Sequence, residues 1–445
     1  MCFTSAGESE DPARNHSLRL RLRRRWSLCR LRSRERSLRE DCLSTRLGGT
    51  RTSAEQEAVA YFTAAVGAFR DPEGRNASFM ERGVAYRSLK EYEKALADLT
   101  EALREKPDNV RARLLRAYVH EENGESQRAY ADYQKILQLD PNSGPAWYYS
   151  GLYQQRLWDY AAARKSFREA IRCEPDYVNA YIGSANCSEH LGDRDGAIAG
   201  YEAAIGINPR NAYPYGARAG YWLKRKHYDR AVTDFTQALA LDPDNKSYLY
   251  DRSVAFAGAK NFPAAIKDLS RILALDPHNE RALQARGLSY RTLKDFPRAI
   301  SDFTEWIRFT QSPHAYTERA RTHTQAGDYA AARADYEQAN NIPRDPAKSL
   351  AWFLATCPDA GYRDGPKAVE LATQACERSN WKDAHDLDTL AAAEAETARY
   401  DEAVNHEKQA LGLLGDKPEE KALMADRLAI YAAHKPYCDR YDYHR

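Results

Sequence analysis

Six prolines, Pro107, Pro141, Pro175, Pro209, Pro243 and Pro277, follow one another at one constant interval of thirty-four positions. A fixed period of this length demands one structural unit made repeatedly, and it constrains the fold more than any composition value. Four of the six close a short acidic turn: Asp140-Pro141, Glu174-Pro175, Asp242-Pro243 and Asp276-Pro277. Twelve positions before each proline lies an alanine: Ala95, Ala129, Ala163, Ala197, Ala231 and Ala265. That series continues through Ala299, Ala332, Ala368 and Ala403. Four positions after the alanine comes a large side chain: Leu99, Tyr133, Phe167, Tyr201, Phe235, Leu269, Phe303 and Tyr336. Twelve positions before it the side chain is small: Gly83, Ala117, Gly151, Ala185, Ala219, Ser253, Gly287 and Ala320.

This spacing describes two antiparallel helices per unit. A small residue in each lets the backbones approach, and the bulky residue one turn later fills the space beside that contact. Proline closes the unit because it lacks an N–H and disfavours helix in the residue before it. A unit of two short helices cannot bury its own apolar face, so units stack and one core runs the length of the array. Composition agrees: 43% hydrophobic and 29% charged residues suit a water-soluble chain. No stretch approaches the ~18 apolar residues of a membrane span, so no membrane partner is expected. Eight cysteines without a Cys-x-x-Cys pair or cluster are neither a disulfide framework nor a zinc site. Reduced thiols and a cytoplasmic location are the default expectation.

The small–x(11)–Ala–x(3)–aromatic–x(7)–Pro spacing on this period resembles the tetratricopeptide repeat (TPR). The family's tryptophan near the unit start is matched by Trp147, with Phe79, Tyr181 and Tyr215 at equivalent places; its first-helix tyrosine is matched by Tyr86 and Tyr290. The resemblance implies an all-α, right-handed α-solenoid of about nine to ten helix-turn-helix units with a C-terminal capping helix. Residues 53–75 read as a partial repeat serving as N-terminal cap, with Ala58, Phe62 and Ala65 at second-helix spacing. Eight regular units follow over 76–348, the eighth with Arg344, between Pro343 and Pro346, at the proline position. Two divergent units occupy 349–415 and resemble a C-terminal variant of bacterial TPR proteins. Residues 416–445 read as a capping helix and tail, with Leu423, Leu428 and Tyr431 on one side of the helix.

Residues 1–52 stand apart. The first fifty carry twelve arginines, no lysine and six acidic residues, a net +6, which leaves −4 on the rest. The run lacks the 7–15-residue apolar core of a secretory signal. Three readings stand: an arginine-rich arm for nucleic acid or an acidic partner, a solvated tail, or translation from a start codon upstream of the true one.

The repeats absorb nearly all of residues 53–435, so an active site would have to be built on the solenoid. There is no His-Glu-x-x-His, Gly-x-Ser-x-Gly, P-loop or Gly-x-Gly-x-x-Gly. His120 and His323 occupy first-helix packing positions, and Cys173 and Cys187 read as structural thiols. Cys357 and Cys376, in the irregular ninth unit, are expected to be more exposed. No catalytic residue, metal ligand or cofactor is expected; a solenoid-borne enzyme or metal site is the weaker alternative.

The resemblance implies a location for binding. In TPR arrays the first helices line the inner surface, which gives a groove including Arg111, Tyr118, Tyr148, Asn179, Asn186, Tyr213, Tyr250, Arg281, Gln284, Arg291 and Arg321. Tyrosine suits such a surface, being a rigid ring with a polar end, although some of these rings would pack between units. The clamp that holds chaperone C-terminal tails is absent: Ile182 and Ala217 stand where it needs Lys and Asn. A ladder of asparagines is also missing, since only Asn179 and Asn186 occur, in one unit. Arg281, Arg291 and Arg321 bias the C-terminal half toward an acidic extended segment. The expected function is a non-catalytic scaffold or adaptor with a protein or peptide partner; nucleic-acid binding through the N-terminal arm is the alternative.

Overall fold

A computed structural model describes residues 51–342 and 348–439. The arginine-rich stretch of residues 1–50 and the Arg344 position lie outside the described residues. Among the described residues the regular structure is helical throughout, and the chain is an all-α solenoid. Its helices fall into two compact units, one ending at Ile207 and one beginning at Asn208.

In the first unit α1 (Arg51–Ala68) precedes four helix pairs. These are α2 (Pro72–Ser88) with α3 (Tyr92–Glu105), α4 (Val110–Glu122) with α5 (Ser126–Leu139), α6 (Gly144–Arg156) with α7 (Tyr160–Cys173), and α8 (Val178–His190) with α9 (Arg194–Ile207). The second unit continues with α10 (Ala212–Lys224) and α11 (Tyr228–Leu241), α12 (Lys246–Gly258) and α13 (Phe262–Leu275), α14 (Glu280–Thr292) and α15 (Phe296–Thr310), and α16 (Pro313–Ala326) and α17 (Tyr329–Asn341). It ends with α18 (Lys348–Thr356), a 3-10 turn at Ala360–Tyr362, α19 (Gly365–Arg378), α20 (Ala384–Glu396), α21 (Tyr400–Leu413) and α22 (Pro418–Ala432).

The alanine register is the core. All ten alanines from Ala95 to Ala403 are completely buried, and the large residues four positions later are nearly so. The glycines opposite them are sterically required at two places. A methyl group on Gly287 would sit 2.6 Å from the Phe303 ring. Phe167 is gripped from both sides, since a methyl would come within 2.8 Å of its ring from Gly151 and 2.7 Å from Gly183. Each such ring contributes roughly 1.5–3 kcal/mol by leaving water.

Helix ends follow a second periodic device. Two positions after the repeat proline, Asn109, Asn211, Asn245 and Asn279 accept backbone N–H groups of the next first helix, satisfying donors that a helix start leaves open. Within each pair the turn passes through one left-handed residue. Gly124, Gly192 and Gly327 take that place in three units, whereas Lys90, Lys226, Lys260 and Lys294 hold it with φ of 60–61° and Trp158 with φ 64°. The residue after the turn then bonds back to the first helix, as Asp295 N–H does to the Tyr290 carbonyl at 2.9 Å.

A third repeated element ties the layers together. In six pairs an arginine of the first helix forks onto an aspartate sixteen positions on: Arg82–Asp98, Arg116–Asp132, Arg218–Asp234, Arg252–Asp268, Arg286–Asp302 and Arg319–Asp335, all with Nη2···O distances of 2.6–2.8 Å. The third guanidinium nitrogen reaches a hydroxyl on the preceding second helix, Thr236 for Arg252 and Ser270 for Arg286. Arg82 makes this contact with Thr63 of α1, which gives α1 the role of a preceding second helix. The aspartates are buried, so the forked, charge-assisted geometry is what makes their burial tolerable.

Two expectations are corrected at the C-terminal end. Cys357 and Cys376 are fully buried, because α18 and α19 pack their apolar sides on α20 despite the interrupted register. On α22 the buried residues are Met424 and Tyr431, seven apart and thus on one face, while Leu423 is 43% exposed.

Removing one partner of a fork strands a buried charge. Asp268→Ala is expected to lower stability by about 2–4 kcal/mol, and Arg252→Met combined with Asp268→Leu to recover most of that loss, read from urea unfolding. At the strained turn, Lys294→Gly is expected to raise the urea midpoint, the equivalent of up to about 1 kcal/mol, since glycine occupies positive φ without a Cβ clash.

Candidate binding site

The first-helix side of each compact unit presents a different chemistry. In the first unit it is aromatic. Tyr118 of α4 lies 5.0 Å from the Tyr149 ring, and Tyr149 stacks on the buried Tyr133 at 5.3 Å. Tyr148 contacts Tyr149, Phe167 and Tyr177, the last at 4.9 Å. Burial among these rings pushes the Tyr118 hydroxyl up to about 12 and also raises Tyr149, so both remain neutral donors. The Arg87 guanidinium caps Tyr118 at 5.7 Å. Arg111 is exposed and paired with Glu81 at 2.8 Å. Asn179 is exposed at the start of α8. Asn186 turns inward: its Oδ1 accepts a 2.5 Å bond from the Tyr201 hydroxyl.

This aromatic stretch coincides with the gap in the ion-pair series. Ser150 and Ser166 stand where other units have arginine and aspartate, as do Ser184 and Gly200 in the next pair. Ser166 bonds to Gln154 instead, at 2.8 Å. Beside the gap the turn exposes Leu157 and Trp158, the latter 76% accessible.

In the second unit Arg281, Arg291 and Arg321 bring charge to that side. Tyr213 is half exposed at the start of α10. Arg281 of α14 lies 4.4 Å above the Tyr250 ring of α12, and Gln284 meets His314 at 3.0 Å. Arg291 and Arg321 share the buried Glu318, at 2.8 and 2.9 Å. One carboxylate between two guanidinium groups leaves an excess positive charge there, and Arg321 is half exposed. These arginines border a cavity of about 1060 Å³ that extends past Lys348 and Trp352 to Arg427 of α22.

His120 is buried, with Nδ1 2.6 Å from Glu125; that contact lowers the Glu125 carboxyl below its ordinary value. The five described cysteines are free thiols, and burial pushes Cys187 and Cys376 up to about 12, away from thiolate chemistry. Among the described residues no group of three or more His, Cys, Asp and Glu is placed to hold a metal, and no helix is long and apolar enough to cross a membrane.

One buried group escaped the sequence reading. Glu407 stands four positions after Ala403, the slot filled by Leu, Tyr or Phe in the regular units. It is completely buried, its carboxyl oxygens meet no N–H or hydroxyl donor among the described residues, and the protonated acid hydrogen-bonds the Asp388 carboxylate. Arg427 Nε lies 3.8 Å away and is itself engaged by Asp388 at 2.7 Å. Burial, reinforced by the Asp388 charge, pushes Glu407 up to about 9, so the acid is neutral at physiological pH. Register was the available signal: an acid at a position that otherwise takes a large apolar residue.

Helix pairs on a constant period, packed through alanine and presenting one helix of each pair as a surface, define a helical-repeat interaction protein. The tetratricopeptide repeat model matches residues 80–144, 150–212, 223–280 and 285–349, more than half of the chain; the chain belongs to the tetratricopeptide repeat family. Similar solved structures include YrrB, described as a TPR protein with an unusual peptide-binding site (21% identity, 42% of this chain and 97% of that one, TM-score 0.34). Yeast Tom70 is similar over 89% of this chain and 95% of its own at 18% identity, TM-score 0.44. A TPR protein from Parabacteroides merdae matches 65% of this chain and 99% of its own at 16% identity, TM-score 0.43. No curated protein has significant similarity to the chain.

Glu407 binds its proton more tightly folded than unfolded, from an ordinary 4.5 to about 9. Its contribution is therefore complete below about pH 4.5 and is lost as pH rises toward about 9. Glu407→Gln keeps the shape without the proton. It is expected to flatten the fall in Tm between about pH 5 and about pH 8.5, with the larger stabilisation at the higher pH.

Proposed function

We propose that this chain is a non-catalytic scaffold that binds a peptide segment or protein domain on the first-helix side of its repeats. The reading extends the interaction role typical of the family to a particular surface. The observation that carries it is the arginine pair on Glu318 together with Arg281 above Tyr250: cations held in place by rigid neighbours, with Arg281 and Arg321 exposed. Such an arrangement loses little side-chain entropy on binding and favours a carboxylate-bearing segment over a basic one. Tyr213 and Tyr250 add aromatic area in the same unit. In the first unit Tyr118 and Tyr148 supply rings for apolar residues of a partner.

Arrays of immobilised dodecapeptides, graded in charge, test this directly. The full chain is expected to retain acidic peptides and release them as salt rises. Arg281→Glu with Arg321→Glu is expected to weaken that retention by about tenfold or more while leaving helicity unchanged. Uniform retention of acidic and basic peptides, or an unaltered pattern in the double variant, rejects the proposed surface.

A further inference from the structure

The last described residues fold back onto the solenoid beside the cavity bordered by Arg291 and Arg321. The Asp439 carboxylate accepts the Trp352 indole N–H at 3.1 Å, and its backbone N–H donates to the Thr356 carbonyl at 2.9 Å. The Tyr437 ring lies 6.0 Å from the Trp352 ring, and the Arg427 guanidinium sits over both, at 5.6 and 5.4 Å. The residues that link α22 to Tyr437, namely Ala433, His434, Lys435 and Pro436, are all exposed. Asp439 itself lines the cavity. From there the wall runs to Lys348, Arg321 and Arg291.

An extended segment thus lies against this wall with an aromatic ring and, two positions later, an acid. An indole N–H receives the acid, a main-chain carbonyl receives its N–H, and a guanidinium covers the ring. We infer that this cavity is a binding site for an acidic protein segment carrying an aromatic residue two positions before a carboxylate, and that Tyr437–Asp439 of the chain itself occupies its inner end in cis. An incoming segment of the same chemistry displaces the tail and extends its further acids toward Lys348 and Arg321. The site rests on the reading of the chain as a peptide-binding scaffold, and it names the recognition chemistry of one end of that surface.

The consequence is competition. If the tail covers the inner end about 90% of the time, a segment in trans binds about tenfold more weakly than to an uncovered site. The probe is a fluorescent heptapeptide copying residues 436–442 with Cys438→Ser and Arg440→Ala, which leaves two acids and no base, followed by anisotropy against the full chain. The chain carrying Tyr437→Ala and Asp439→Asn is expected to bind it about tenfold more tightly than the unaltered chain. Adding Trp352→Leu is expected to abolish that gain. Because Trp352 is partly buried, Lys348→Glu, at a part-exposed side chain that pairs with Asp383 and Asp386, provides a second variant that is expected to weaken the probe, with circular dichroism checking that the fold is kept. Equal binding by the unaltered and tail-released chains overturns the inference, as does binding insensitive to both Trp352→Leu and Lys348→Glu. The charge-graded peptide array, repeated on the tail-released chain, separates the two proposals. Retention of acidic peptides that depends on Arg281, without probe binding, removes only the tail site. Loss of both removes the scaffold surface as well.

Discussion

Everything in this structure depends on how closely two helices approach at an alanine. Ala95 and its nine successors have no exposed surface at all, and in the eight regular units the residues opposite are glycine, alanine or serine. At that distance a side chain one turn away must fill a gap of definite shape, which Leu, Phe and Tyr do from the second helix. The tolerance is small: Phe167, held between Gly151 and Gly183, would collide with a methyl group from either side. Packing of this kind is local, so each pair needs only its neighbours, and the same solution can be used repeatedly along the chain.

Close approach also governs the polar groups. Where the helices meet, water is largely excluded, and a charged side chain survives only if its partner is fixed. The arginine–aspartate forks meet that condition, and five of the six add a hydroxyl from the preceding helix, so each of those five joins three helices. Between Gly144 and Ile207 the forks give way to serines and glycine, and the surface there becomes rich in tyrosine. Tyr201 shows the exchange at one position: its hydroxyl, deep in the core, takes Asn186 as partner. A side chain expected to face a ligand is thereby committed to the core.

What was legible in the sequence was whatever the period forces. Alanine, the bulky residue, the small residue and proline have no freedom within the repeating unit, and all were readable with the helix pairing they imply. The forks were equally periodic, with Arg218, Arg252 and Arg286 and their aspartates recurring at the interval of the prolines. Charged residues on helices ordinarily face water, however, and so carry no packing signal by themselves. The left-handed lysines were hidden for the opposite reason: lysine has no preference for positive φ, so Lys294 betrays nothing that Gly327 announces. The burial of Cys357 and Cys376 is not legible because an interrupted register implies loose packing, whereas α18 and α19 cover them fully. Of the groove residues, position on a first helix could be read directly. Orientation could not, because it depends on contacts with neighbouring pairs, as the pairing of Arg291 and Arg321 on Glu318 illustrates.

The C-terminal end shows what a repeat does when it runs out of neighbours. A regular unit fills its bulky slot from its second helix and is covered by the next pair. Among the described residues α21 is followed by a single helix, and the slot holds Glu407 instead of a ring. A single helix, α22, covers it with Met424, Tyr431 and the stem of Arg427, and the guanidinium at the tip must find acids. Asp388 supplies a forked partner at 2.7 and 2.9 Å, which leaves Glu407 surplus, and the surplus is neutralised by a proton. The same arginine, with its fork satisfied below, turns its flat face outward to Trp352 and Tyr437. One side chain therefore closes the core on one side and seats the tail on the other. An end cap built from apolar residues alone would seal the array equally well, but it would offer no cation face to hold a displaceable aromatic and acidic segment.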